Sequence, residues 1–269
     1  MIVRQEKKHP KFRISVVFII ILLSFAGCFL YYMKSSNLSD LTENDNVSQE
    51  AVAYITSETE YENQQKINNP IPKSEPVESE YLNDCIFIGD SIISNLAKYG
   101  LIPERSIMKA DNTGLSEINN ATVEIKGEKF SLFETLKKSK VKNVYIMLGS
   151  DDIARMTNES MLNEYGSFIK TVSGENPDKI IYVISIPPVT VNKENDRASP
   201  VLNTAIDSYN AGLLKLANEN NICYLDLNAA LKSSDGKLLS EFSESDGYNI
   251  NESGKQKIIE YILSHTYQK

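Results

Sequence analysis

The run Cys85-Ile86-Phe87-Ile88, closed by Gly89-Asp90-Ser91, limits what this chain can fold into more than any other stretch. A strand buried on both faces reads as continuous apolar residues, and a glycine at its end permits the tight turn into a helix. Ile92, Ile93, Leu96 and Tyr99 then keep a helical spacing, and Gly100 supplies a stop. Ser91 is thereby placed at the carboxyl end of a buried strand, the edge at which open α/β sheets bind ligands. Taken alone, Gly-Asp-Ser reads equally well as a plain turn with an N-capping serine.

The same alternation continues downstream. Strands are expected over Ile107–Ala110, Val144–Leu148, Ile180–Ile186 and Ile222–Leu227, with Pro187-Pro188 stopping the third of these. Helices are expected over Ser131–Lys138, Glu159–Val172, Asn203–Asn218 and Gly254–His265, and a small hairpin around Lys126-Gly127. Strands alternating with helices imply a parallel sheet covered on both faces, a doubly wound three-layer α/β/α domain.

Ahead of this domain, residues 1–13 carry Arg4, Lys7, Lys8, Lys11 and Arg13 against Glu6 alone. Residues 14–33 are almost wholly apolar, long enough to span a bilayer, and the basic flank places the N-terminus in the cytoplasm. A cleaved secretory signal and a lipoprotein signal ending at Cys28 are the alternatives. The length of the run, beyond the usual 7–15 residues of a signal core, favours an uncleaved anchor. Residues 34–80 are rich in Ser, Asn, Glu and Gln and read as a flexible acidic tether, with Val52–Ile55 as a possible short element. Residues 81–269 then form the domain, held outside the cell membrane by a single pass.

The net charge of −8 leaves no basic stripe to neutralise phosphates, so no nucleic-acid partner is expected. Cys28, Cys85 and Cys223 lie too far apart in such a topology for a disulfide framework, and no Cys/His spacing suits zinc.

Four ordered blocks, Phe87-Ile88-Gly89-Asp90-Ser91, Asp111-Asn112-Thr113-Gly114, Tyr145 to Asp152, and Asp246-Gly247-Tyr248-Asn249, resemble those of the SGNH (GDSL-type) hydrolases. The resemblance covers roughly residues 81–269 and implies a flavodoxin-like fold, serine esterase or deacetylase chemistry without a cofactor, and acylated cell-surface polysaccharide as partner. It makes Ser91 the nucleophile, with Asp246 orienting a base. Ser91, Gly114 and the residue at position 151 would supply the oxyanion hole.

Two positions depart from the pattern. Asp151 stands where the family has asparagine, and an ionised carboxylate only accepts hydrogen bonds. Asn249 stands at the histidine position, and a neutral amide has no proton affinity usable near neutral pH. His9 and His265 are the two histidines, and neither is expected to replace it. A carboxylate acting directly on Ser91, from Asp90 or Asp246, and a hard cation held by Asp151, Asp152 and Asp246 with Asn249 and Ser91 are the remaining options. The acids are more simply turn and cap residues. The expected result is an acyl-ester hydrolase ancestry with impaired chemistry, a slow esterase, or a non-catalytic glycan-binding module.

Overall fold

The computed structural model describes residues 66–108, 110–111 and 114–268. The basic tail, the apolar run 14–33, Cys28, Val52–Ile55, His9 and the tether up to residue 65 lie outside the described residues. Among those described, no helix is long and apolar enough to cross a membrane.

Strand β1 (Cys85–Gly89) is buried throughout and feeds helix α1 (Ser91–Lys98). A short β2 (Ala110–Asp111) pairs antiparallel with β3 (Thr122–Ile125), which turns through Lys126 and Gly127, both at positive φ, into β4 (Glu128–Ser131). Helix α2 (Leu132–Lys138), β5 (Asn143–Met147), α3 (Asn158–Glu175) and β6 (Ile180–Ile184) follow. After a short α4 (Val191–Glu194) come α5 (Asn203–Glu219), β7 (Cys223–Leu225), α6 (Leu227–Leu231) and α7 (Glu252–Leu263).

The main sheet runs β1-β5-β6-β7, all parallel, with Ile107 bridging to Phe87 on the free side of β1. That order is the doubly wound, flavodoxin-like one, with its switch point beside β1. Helices α2, α3 and α5 pack together, while α6 packs on α7. Lys255 of α7, its ammonium 3.8 Å from the Tyr99 ring centroid, ties that helix to the end of α1.

Register also builds a ladder that periodicity does not reveal. Phe87, Tyr145 and Tyr182 are direct cross-strand partners, stacked at 5.0 and 4.3 Å between centroids. Each such pair adds about 0.5–1.5 kcal/mol beyond the area it buries. The Tyr81 and Tyr145 hydroxyls bond each other at 2.8 Å, and Tyr182 accepts from the Tyr267 amide at 2.9 Å.

Two expectations are corrected. The strand expected over Ile107–Ala110 is split: Ile107 meets β1 as an isolated bridge, whereas Ala110 joins the small sheet. Residues 66–80, assigned to the tether by composition, lie on the domain. Ile71 is buried and its amide donates to Tyr224, Asn69 accepts from Tyr224, and Ser74 and Val77 donate to Ser264 and Leu263. The segment adds backbone hydrogen bonds and one buried isoleucine, and neither is visible in its polar average. Cys85 and Cys223 are free and buried.

Candidate active site

Strands β1 and β5 pair from Cys85–Asn143 to Gly89–Met147, so the chain leaving each emerges beside the other at the carboxyl edge. Gly89 permits this approach, since a Cβ there would lie 2.6 Å from the Met147 carbonyl oxygen. Asp90, rather than Ser91, caps α1: its buried carboxylate accepts from the amides of Ile92 at 3.4 Å, Ser150 at 2.8 Å and Asp151 at 3.4 Å. Burial, and then the charge of Asp151, push the Asp90 carboxyl up to about 6, against the pull of those amides. Ser91 becomes the first helical residue.

The Ser91 hydroxyl donates to Asp151 Oδ1 at 2.6 Å, and the Ser91 amide donates to Asp151 Oδ2 at 3.1 Å. One carboxylate thus takes both donors of the serine. The loop that carries it is firmly placed. Gly149 sits at φ +110°, where a Cβ would meet Met161 and Tyr209 at 2.8 Å. Arg155 donates to the Asp151 carbonyl at 2.9 Å and to Asp152 Oδ1 at 3.1 Å. The buried Asp152 in turn accepts from the Leu115 amide at 3.0 Å, which draws Gly114 to the site. A Cβ on Gly114 would stand 3.9 Å from Asp152 Oδ1. Asn112 and Thr113 lie outside the described residues.

The fourth block arrives through the loop before α7. Asp246 accepts from the amides of Tyr248 and Asn249 at 2.9 and 2.8 Å and from the Asn249 side chain at 2.6 Å. Burial pushes the Asp246 carboxyl up, but these bonds outweigh it and hold the group below the usual carboxylate range. The Tyr248 hydroxyl donates to the Ser150 carbonyl, joining this loop to the one bearing Asp151. Burial, then the charges of Asp151, Asp90 and Asp152, hold the Tyr248 phenol well above its ordinary value, so it stays a donor. Among the described residues, no hydrogen bond links Asn249 to Ser91. The imidazole of His265 is spent elsewhere, stacked on Tyr261 and bonded to its carbonyl at 2.8 Å.

Buried asparagines hold the segment after β6. Asn210 bonds the amide and carbonyl of Ile186, Asn203 those of Val189, and Thr190 donates to Gly247. A cavity of about 10 Å³ remains there, with Ile92, Ser150, Ile153, Pro188, Ile206 and Tyr248 among its walls. That is room for about one water-sized group. Ile92, Ser150 and Tyr248 are the chain neighbours of Ser91, Asp151 and Asn249.

Ser91, Gly114 and Asp151 are therefore brought together, and Asp246 with Asn249 adjoins them through Tyr248. Asp152, considered from sequence only as a cation ligand, and Tyr248 and Arg155, which spacing does not single out, are structural partners of the site; Arg155 alone of the three falls outside the recognised blocks. Among the described residues, no three His, Cys, Asp or Glu side chains are placed to hold one metal ion. Each of the carboxylates considered for a cation already accepts N–H or O–H donors.

Residues 87–257, well over half of the sequence, match the GDSL-like lipase/acylhydrolase family. The chain belongs to that family. Among solved structures, a Bacteroides fragilis protein named as an acylhydrolase shares 15% identity with this GDSL-like chain. Its TM-score is 0.50, over 82% of this chain and 96% of that one. A GDSL-like lipase from Bacteroides thetaiotaomicron shares 13% identity, with a TM-score of 0.50 over 78% of this chain and 94% of the other. Both likenesses concern the fold. No curated protein sequence matches the chain.

Proposed function

We propose that this GDSL-like protein is a slow serine acyl-ester hydrolase, held outside the cell membrane by residues 14–33 and acting on small acyl esters of cell-surface glycans. The observation that carries the reading is the convergence of Ser91, Gly114 and Asp151 at the carboxyl edge of β1 and β5, with Ser91 Oγ 2.6 Å from a carboxylate oxygen. The water-sized cavity lined by their chain neighbours has room for no more than the methyl of an acetyl group, which limits the acyl group to a short one. Slowness follows from the side chains present. Asn249 accepts no proton near neutral pH, and losing one oxyanion donor costs a serine hydrolase about 3–4 kcal/mol of transition-state stabilisation.

A second reading, a glycan-binding module without turnover, is favoured by one fact: both Ser91 donors are already satisfied by Asp151. Hydrolysis of p-nitrophenyl acetate by the full chain, beside Ser91→Ala, separates the two. Weak turnover lost in Ser91→Ala supports the hydrolase, no Ser91-dependent turnover supports the binding module, and turnover at ordinary esterase rates removes the claim of impairment. Protease accessibility of the domain on intact cells tests the placement outside the membrane.

A further inference from the structure

Asp151 has no part in the family pattern as a base, because that position ordinarily donates a hydrogen bond. Here its Oδ1 is the atom to which the Ser91 hydroxyl points, at 2.6 Å, and among the described residues no imidazole is bonded to that hydroxyl. We propose that Asp151 is a catalytic residue, the proton acceptor for Ser91, and that by taking the proton it also ceases to oppose the oxyanion. The inference rests on the hydrolase reading for its substrate, an acyl ester, but not for the Ser91–Asp151 chemistry itself.

The step balances without any further group. The Ser91 Oγ–H bond breaks, its proton passes to Asp151 Oδ1, and the Oγ electron pair forms a bond to the acyl carbon. The carbonyl π pair moves onto the carbonyl oxygen. The site bears one negative charge from this pair before and after, transferred from the carboxylate to the oxyanion. A fixed carboxylate would repel that oxyanion, whereas a neutral carboxyl offers an O–H toward it. The Ser91 amide, held at 3.1 Å by Oδ2 in the resting site, loses its charged acceptor at the same moment and turns to the new one. Collapse then expels the alkoxide, which leaves as the alcohol with the proton from Asp151. Water repeats the sequence on the acyl-serine, releasing the carboxylic acid and returning the proton to Ser91 Oγ.

The carboxylate is held for this task from two sides. Arg155 grips the Asp151 carbonyl and Asp152, and Tyr248 holds the Ser150 carbonyl. Both grips fix the backbone and leave the Asp151 carboxylate to Ser91.

The test is the rate at which p-nitrophenyl methylphosphonate labels Ser91, read by nitrophenolate release and intact mass, in the full chain and in Asp151→Ala. Alanine removes the acceptor without adding a donor. A general base contributes about 10²–10⁴-fold, so labelling is expected to slow at least about 100-fold and to recover partly with added formate. Labelling as fast or faster in Asp151→Ala, or equally slow in both chains with no response to formate, overturns the proposal. If Asp151→Ala fails to fold, Asp151→Asn serves through its pH profile: loss of the acidic limb seen in the unmodified chain supports the role, and an unchanged limb refutes it. Asp151-dependent labelling without Ser91-dependent ester turnover would discard the hydrolase reading alone. Ser91-dependent turnover indifferent to Asp151 would discard this inference alone.

Discussion

Asn249 donates its side-chain amide to Asp246 across 2.6 Å, so an acid still orients the residue where a base belongs. Asp246 is held ionised by the amides around it, and an imidazole at 249 would find its orienting partner ready. Asn249→His combined with Asp151→Asn exchanges one base for another and adds an oxyanion donor, so it is expected to raise p-nitrophenyl acetate turnover by about 10²–10³-fold, the worth of that donor. A folded double variant no faster than the unmodified chain shows that the pocket has diverged beyond those two side chains.

Asp90 predicts a pH effect on stability. Its carboxyl titrates near 6 when folded, above the ordinary value near 4, so the folded state binds the proton more readily between those limits. Stability from this group is greatest below about pH 4 and falls as pH rises to about 6, by about 2–3 kcal/mol. Urea unfolding from pH 4 to 7 should show Asp90→Asn with a flatter profile than the unmodified chain. Parallel profiles would mean that Asp90 titrates normally.

Gly149 combines φ +110° with contacts that leave no room for a methyl group. Gly149→Ala is expected to destabilise the fold by about 2–4 kcal/mol and to abolish any Ser91-dependent labelling. The midpoint of urea unfolding measures the first effect.

Tyr81, half-buried, and Tyr145, fully buried, share one hydroxyl pair. Tyr145→Phe should cost about 1 kcal/mol, and adding Tyr81→Phe little more, because the two lose the same bond. Additive losses in a double-mutant cycle would show that each hydroxyl has another partner.

The segment before Tyr81 belongs to the domain. Deleting residues 1–80 removes buried Ile71 and the bonds to Tyr224, Ser264 and Leu263, so it should cost at least about 2 kcal/mol against deletion of 1–64. Equal thermal unfolding of the two shortened chains would contradict this.

Much of this protein was legible in its sequence because the signals are local. Apolar runs and helical spacing located β1, β5 and β6 with their helices, four short blocks declared the family, and Asp151 and Asn249 marked where the chain departs from the family pattern. Composition does not reveal that the run 66–80 packs on the domain, because its polar average hides one buried isoleucine and the bonds made by its backbone. What only the tertiary structure decided was where Asp151 would act. Its carboxylate meets Ser91 across sixty residues, and that meeting depends on β1 pairing with β5 in one register and on Gly149, Arg155 and Tyr248 fixing a loop. Composition can say that an acid opposes an oxyanion. Only the packed sheet edge shows that the same acid stands within reach of the serine's proton.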